Sequence, residues 1–235
     1  MTDWGAVIDA TWPAAARQTV GPWTIRSGAA GGNRVSAATA TGPVTAVDVT
    51  QAAQAMRDLG QEVVFMLHPG DDALDAVLAD AGYVTRDQTI IRACPVGVLT
   101  QGIVPPVTAF TVWPPLAAQR DIWADGHIGS ARLAIMDRVT GPKTTLFGRI
   151  DDRPAGTLFV ALHGDTAMLH ALEVSVNHRR KGLARHLTVA AAQWAQRQGA
   201  AQFSLLVTSA NIGANALYER LGLAEVGRYH YRALP

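Results

Sequence analysis

Charged residues make up only 17% of this 235-residue chain, and its 20 lysines and arginines almost cancel its 19 aspartates and glutamates. A net charge of +1 builds no field that would draw nucleic acid or an anionic membrane, so neither is expected as a partner. Cysteine is nearly absent. Cys94 alone excludes an internal disulfide and any cysteine-based metal cluster, and its neighbours Ile90, Ile91 and Ala93 point to a buried structural thiol. The 7 histidines lack the paired spacing of zinc ligands, so no metal is expected. No stretch approaches the roughly 18 uninterrupted apolar residues of a membrane span. Met1-Thr2-Asp3-Trp4 lacks the basic region and apolar run of a secretory signal, and a cytoplasmic location is the expectation. What the chain has in quantity is apolar residues, 49% of the total, enough to bury a real core.

From residue 24 to about residue 95 strand-like and helical patterns alternate. Residues 34–41 and 62–68 read as strands, and residues 49–60 and 72–82 as helices with apolar side chains three and four apart. Gly102-Ile103-Val104-Pro105-Pro106 breaks the pattern and is the best candidate linker, dividing the chain into units of residues 1–101 and 107–235. Beyond it, residues 109–113 read as a strand and residues 116–124 and 128–138 as short helices. Residues 145–150, 156–162 and 167–176 form an antiparallel meander, with turns at Asp151-Asp152-Arg153-Pro154 and His163-Gly164-Asp165. A strong amphipathic helix over 183–198, a buried strand over 203–208, a helix over 212–221 and a strand over 225–234 complete the pattern.

Gly82-Tyr83 followed by Arg92-Ala93 matches Gly222-Leu223 followed by Arg232-Ala233, and similar strands, 63–67 and 203–207, precede the two helices. The spacing of about 140 residues reads as an internal repeat, with the N-terminal half a worn copy of the C-terminal half. The alternative is that any strand-helix-strand unit carries a glycine where its helix ends.

The most informative stretch is Leu172-Glu173-Val174-Ser175-Val176-Asn177-His178-Arg179-Arg180-Lys181-Gly182-Leu183-Ala184-Arg185. A strand enters a basic, glycine-containing turn, and the turn enters a long helix. Such a turn exposes consecutive backbone N–H groups at the positive end of the helix dipole, and small residues at Gly182 and Ala184 let a phosphate approach the backbone. Arg179, Arg180, Lys181 and Arg185 add charge. Pyrophosphate binding is the functional reading, and a merely solvated basic turn is the alternative.

The arrangement Arg179-x-x-Gly182-x-Ala184 resembles the acyl-CoA motif of the GNAT superfamily of N-acetyltransferases, and Asn211-x-x-Ala214-x-x-Leu217-Tyr218-Glu219-x-Leu221-Gly222 resembles that superfamily's later motif. The resemblance covers residues 107–234. It implies an α/β fold (α+β by some schemes) with a mixed central sheet flanked by helices, and the repeat extends this to two GNAT-like units in tandem, the first degenerate: Gly42-Pro43-Val44 stands where its basic turn would be and Leu78 where Tyr218 would. The resemblance also implies acetyl-CoA as co-substrate. The strands 172–176 and 203–208 would splay to admit the pantetheine arm, the main chain of Leu172, Glu173 and Val174 would pair with its amides, residues Arg179 to Ala184, including Leu183, would hold the pyrophosphate, Arg185 would add charge for the cofactor's phosphates, and Asn211 would bond the arm.

By the same resemblance Tyr218 protonates the departing thiolate; a phenol with pKa of about 10 beside a thiol of about 8.5 suits that task. An ordinary half-buried aromatic is the alternative. Relatives that acetylate ribosomal-protein N-termini carry a glutamate base at the position of Leu206, so the base has to come from elsewhere or from water. Glu173 is the candidate, with a structural carboxylate paired to a cation as the alternative, and His170 is the second choice. Trp113, Trp123, Asp125 and His127 are candidates for an acceptor pocket, although tryptophans at helical spacing also read as core. The reading is an N-acetyltransferase acting on a primary amine of a small molecule or peptide, as a monomer or homodimer. A catalytically silent acyl-CoA sensor is the rival. A Rossmann-type nucleotide domain fits worse, because the glycine pattern differs and the meander is antiparallel.

Overall fold

Runs too apolar to leave in water set the middle of the molecule. Phe203, Ser204, Leu205 and Val207 are all buried, as are the residues Ala155 to Leu162 and Thr166 to His170 on the strands beside them. A computed structural model describes residues 2–235. The elements are α1 (Trp4–Thr11), β1 (Ala16–Val20), β2 (Trp23–Ser27), α2 (Asn33–Ser36), β3 (Thr39–Ala40), α3 (Ala46–Asp58), β4 (Val64–Leu67), α4 (Asp72–Asp80), β5 (Val84–Pro95), α5 (Val96–Thr100), β6 (Ala109–Val112), α6 (Ala117–Asp125), α7 (Ser130–Arg138), β7 (Lys143–Ile150), β8 (Arg153–His163), β9 (Thr166–Val174), α8 (Leu183–Arg197), β10 (Gln202–Thr208), α9 (Ile212–Arg220) and β11 (Ala224–Ala233). Eight strands form one mixed sheet in the order β4-β11-β5-β10-β9-β8-β7-β6, and β1-β2-β3 form a small second sheet. In the large sheet only β9 and β10 run parallel. The apolar stripe of α8, including Leu183, Leu187, Ala191 and Ala195, packs on β6 to β9 and belongs to the largest core cluster among the described residues. Cys94 is buried in that cluster, and burial pushes its thiol up to about 11, so it stays protonated.

One expectation changes. Residues 34–41 are not a strand: positive φ at Ala29, Ala30 and Gly32 turns the chain into the single turn of α2, Ser36 Oγ bonds back to the Gly32 carbonyl, and only Thr39–Ala40 pairs in a sheet. The elements α1, β1, β2 and α5 had no clear periodic signal; β1 is exposed along nearly its whole length, so no alternation marks it.

The sheet crosses the candidate boundary near residue 102. Strand β5, which follows α4, lies between β10 and β11, and β11, which follows α9, lies between β4 and β5. Each half therefore sends its last strand into the other. The register repeats with the shift of about 140 residues: Val64 pairs with Ala233 as Ser204 pairs with Ala93, and Leu67 pairs with His230 as Val207 pairs with Ile90. Thr89 and Tyr229, themselves one repeat apart, pair with each other and mark a local two-fold axis.

Two arginines lock the exchange. Arg92 on β5 donates from Nε to Asn215 Oδ1 (3.1 Å), from Nη1 to the Leu223 carbonyl (3.2 Å) and from Nη2 to Glu219 (2.5 Å). Arg232 on β11 donates from Nε and Nη2 to Asp75 (2.7 Å each) and from Nη1 to the Tyr83 carbonyl (2.6 Å). These partners too are one repeat apart, Asn215 with Asp75 and Leu223 with Tyr83. Arg232, and after it His230, pulls the Asp75 carboxyl down to about 2. A segment of residues 107–235 expressed alone leaves β10 and β11 without the strand between them. It is expected to show no cooperative thermal unfolding, while co-expression with residues 1–106 restores a single transition; a well-folded isolated segment would contradict the exchange.

Candidate active site

Strands β9 and β10 pair only from Thr166–Gln202 to Leu169–Leu205, and beyond that they part. The cause sits in β9. Ala171 has φ 51, a left-handed conformation that a non-glycine residue adopts rarely, and the register against β8 shifts between Phe159–His170 and Thr157–Glu173. This bulge is pinned by Trp123, whose indole Nε1 donates to the Ala171 carbonyl at 2.7 Å. Trp123 is fully buried, so it supports the bulge instead of lining a pocket. Past the bulge, Glu173 and Val174 pair with Thr157 and Gly156 of β8 on one side, and Leu172, Glu173 and Val174 have no strand partner on the other among the described residues.

The basic turn follows directly. A single 3-10 turn (Val176–His178) leads through Arg180, at φ 61, to Gly182, at φ 85, which precedes α8. A side chain at Gly182 would be strained at that φ. No protein oxygen among the described residues accepts from the amides of Arg180 through Arg185, which leaves these N–H groups available at the start of a 15-residue helix. Leu183 is buried beneath the turn and anchors it; Ala184 is half-buried. Arg180, Lys181 and Arg185 are exposed and make no ion pair among the described residues. Lys181, Leu183 and His186 also border a cavity of about 350 Å³ with Arg149.

Arg179 behaves differently from its neighbours. It folds back, donating from Nε to the Val174 carbonyl and from Nη2 to Glu173 Oε1, both at 3.0 Å. Glu173 is packed so closely on the α6–α7 loop that a methyl group on Gly126 would lie 2.7 Å from its carboxyl carbon.

Tyr218 on α9 is buried against the main core, and burial pushes its phenol up to about 12, so it holds its proton throughout the neutral range. Asn211 caps α9, its side chain accepting from the Ala214 amide at 3.1 Å. Asn215, which the sequence reading passed over, holds the start of the helix to β10 by donating to the Thr208 and Asn211 carbonyls (3.0 Å each). Leu206 packs with Ile91, Met168, Tyr229 and Tyr231 in an apolar cluster.

A cleft of about 430 Å³ lies where the splayed strands meet the exchanged ones, bordered by Ala171, Thr208, Asp87, Tyr229, Tyr231 and two arginines, Arg34 and Arg132. None of these stood out in the sequence, because Arg34 lies in a stretch read as strand and the cleft exists only through the exchange of β5 and β11. Of the earlier pocket candidates, Asp125 and His127 are exposed and, like Trp113, do not border it.

His170 stands behind the cleft as part of a hydrogen-bonded chain. Arg34 Nη1 donates to His170 Nδ1 (3.3 Å), which places the ring proton on Nε2; that proton goes to Thr11 Oγ1 (2.9 Å), and the hydroxyl donates to the Val7 carbonyl (2.7 Å). The ring stacks on Trp12 at 4.8 Å. Burial, and after it the charge of Arg34, holds the imidazole well below its usual pKa. With its lone pair taken by a guanidinium, His170 orients Arg34 and is poorly suited to accept a proton from substrate. Among the described residues no group of three or more His, Cys, Asp or Glu could hold a metal ion, and no helix is long and apolar enough to cross a membrane.

Comparison with known proteins agrees with this architecture. Residues 113–223 match the family model described as acetyltransferase (GNAT) family. Over 95% of its length the chain is 24% identical to the uncharacterized N-acetyltransferase YobR of Bacillus subtilis (strain 168), covering 94% of that protein. Its fold matches a GCN5-related N-acetyltransferase from Kribbella flavida with a TM-score of 0.68 at 20% identity, over 100% of this chain and 96% of the other. It also matches a tandem GNAT protein from the clavulanic acid biosynthesis pathway, with a TM-score of 0.62 at 15% identity over 83% and 74% of the two chains.

The His170 environment sets a pH dependence. The unfolded chain takes up a proton on this histidine near pH 6.5 and the folded one does not, so the stability it contributes is lost as pH falls below about 6.5, by up to about 1.4 kcal/mol per pH unit. The slope of unfolding free energy between about pH 6.5 and 5 is therefore expected to be shallower in His170→Gln by about one proton; identical slopes would contradict a neutral His170.

Proposed function

We propose, on the premise that residues 113–223 belong to the GNAT acetyltransferase family, that the protein transfers an acetyl group from acetyl-CoA to a primary amine of a small molecule or peptide. The observation that carries this reading is the combination of the unbonded amides of Arg180 to Arg185 with the unpartnered edge of β9 directly before them. The residues present fit the co-substrate: the turn offers consecutive donors and uncompensated positive charge to a pyrophosphate, and the edge offers a main-chain surface to the pantetheine amides. Gly182 and Ala184 keep the backbone approachable. Acetyl-CoA supplies an acyl group already activated as a thioester.

The chain's own residues then have four tasks. The β9 edge at Leu172, Glu173 and Val174 aligns the thioester with the cleft, and alignment of two reactants supplies much of such an acceleration. Asn211, as the cap of α9, fixes that helix beside the splay and bonds the pantetheine arm. Glu173 takes the proton from the attacking amine as the new C–N bond forms. Tyr218, protonated because it is buried, gives its proton to the sulfur as the C–S bond breaks, and solvent restores it. Arg179 now occupies both the Val174 carbonyl and Glu173. Its guanidinium must leave them for the pyrophosphate when acetyl-CoA binds, so the base is freed only once the co-substrate is in place.

The apolar surroundings of Leu206 favour a second reading, a sensor that binds acyl-CoA without turnover. The two part on Tyr218→Phe. The enzyme reading expects kcat for amine-dependent thiol release to fall about 100-fold with acetyl-CoA affinity within about twofold. Tight binding of acetyl-CoA with no release from the unaltered protein, over amino acids, polyamines, aminoglycosides and short peptides, would favour the sensor.

A further inference from the structure

The cleft between the halves carries more positive charge than the protein neutralises. Arg34 and Arg132 both border it, neither pairs with a carboxylate among the described residues, and Asp87 is the one acidic residue along its wall. Arg34 has five N–H donors, and the groups set against it are neutral: His170, which accepts from Nη1, and the phenols of Tyr229 and Tyr231. Arg132 reaches the His127 carbonyl at 3.2 Å. Four buried side-chain polar atoms among the described residues lack any partner, and two of them, Arg34 Nε and Tyr229 Oη, belong to residues of this cleft. A buried donor without an acceptor destabilises the fold unless something satisfies it. Burial, and next the charge of Arg34, lowers the Arg132 guanidinium, so the two cations are close enough to repel.

The cleft also reaches the reacting region. Ala171, at the β9 bulge, and Thr208, at the diverging end of β10, form part of the same wall. We infer that the acceptor is an amine that also bears a carboxylate, an α-amino acid or a near relative, with the carboxylate held by Arg34, Arg132 and the Tyr229 hydroxyl and the amine directed to the splay. A planar guanidinium fork with unused donors matches a carboxylate in shape, and two arginines against Asp87 leave one net positive charge, which a monoanion balances. The chain from Val7 through Thr11 and His170 fixes the Arg34 side chain, making His170 a positioning residue. Trp12, stacked on His170, closes the same wall.

This inference rests on the acetyltransferase reading only for the purpose of the cleft, and two measurements separate them. Binding of the twenty standard α-amino acids and their α-amides is followed by calorimetry and by tryptophan fluorescence without acetyl-CoA, and thiol release is followed with it, for the unaltered protein, Arg34→Met and Arg34→Lys. At least one free amino acid is expected to bind about 30–100-fold more tightly than its amide, with the same ratio in kcat/KM carried mainly by KM. In Arg34→Met that ratio collapses to within about threefold, while Arg34→Lys, which keeps the charge and loses the fork, falls between. Melting curves and acetyl-CoA binding of both variants report whether they are folded. Arg34-dependent binding without thiol release would uphold the carboxylate site and remove the enzyme reading. Release from amides or simple amines at rates matching the free acids, a preference that survives Arg34→Met, or no Arg34-dependent binding of any amino acid would overturn the inference.

Discussion

The structure depends on the exchange of strands β5 and β11. A strand left at a sheet edge exposes a row of unpaired backbone groups, and here each half covers the other's edge with its own last strand. Arg92 and Arg232 make the arrangement specific. Each carries its charge from one half into the other and finds there a carbonyl and a polar side chain at equivalent places. Arg92 is 5% exposed, so a sheet without the exchange would leave a buried guanidinium and several buried acceptors unsatisfied, a far larger cost than the loss of one surface pair.

The consequence for function is that the cleft belongs to neither half. Asp87 comes from β5, Tyr229 and Tyr231 from β11, Thr208 from β10, Arg34 from α2 and Arg132 from α7. The N-terminal half, without a basic turn of its own and with the fully buried Leu78 at the place equivalent to Tyr218, serves as the opposite wall. In the proposed function chemistry and recognition would thus be divided: the bulge, the turn and α9 on the acyl-transfer side, and the exchanged strands with Arg34 on the acceptor side. The bulge at Ala171 is the hinge of the division. It parts β9 from β10, and the indole of Trp123 holds its carbonyl in place.

Much of the C-terminal half was legible in sequence because its elements are long and strongly periodic: β7 to β11, α8 and α9 all lie close to where the apolar pattern puts them. The repeat was legible from two Gly-to-Arg spacings, yet the exchange was not, since a strand's partners are not written in its own periodicity. The basic turn from Arg179 to Arg185 stood out through composition, but Arg179 folds back on Glu173 and Val174. The N-terminal segment was read least well. Exposed β1 gives no alternation, α2 is a single turn set by glycine and alanine backbone conformations, and the role of Arg34 arises from contacts more than a hundred residues away in sequence.

A crystal structure of the protein with CoA and an α-amino acid tests the proposed site most directly. Pyrophosphate is expected on the amides of residues 180–185, pantetheine along Leu172 to Val174 with its thiol beside Tyr218, Arg179 released from Glu173, and the carboxylate on Arg34. CoA bound away from the turn, or bound there with Arg179 still on the Val174 carbonyl and the amino acid outside the cleft, would contradict it.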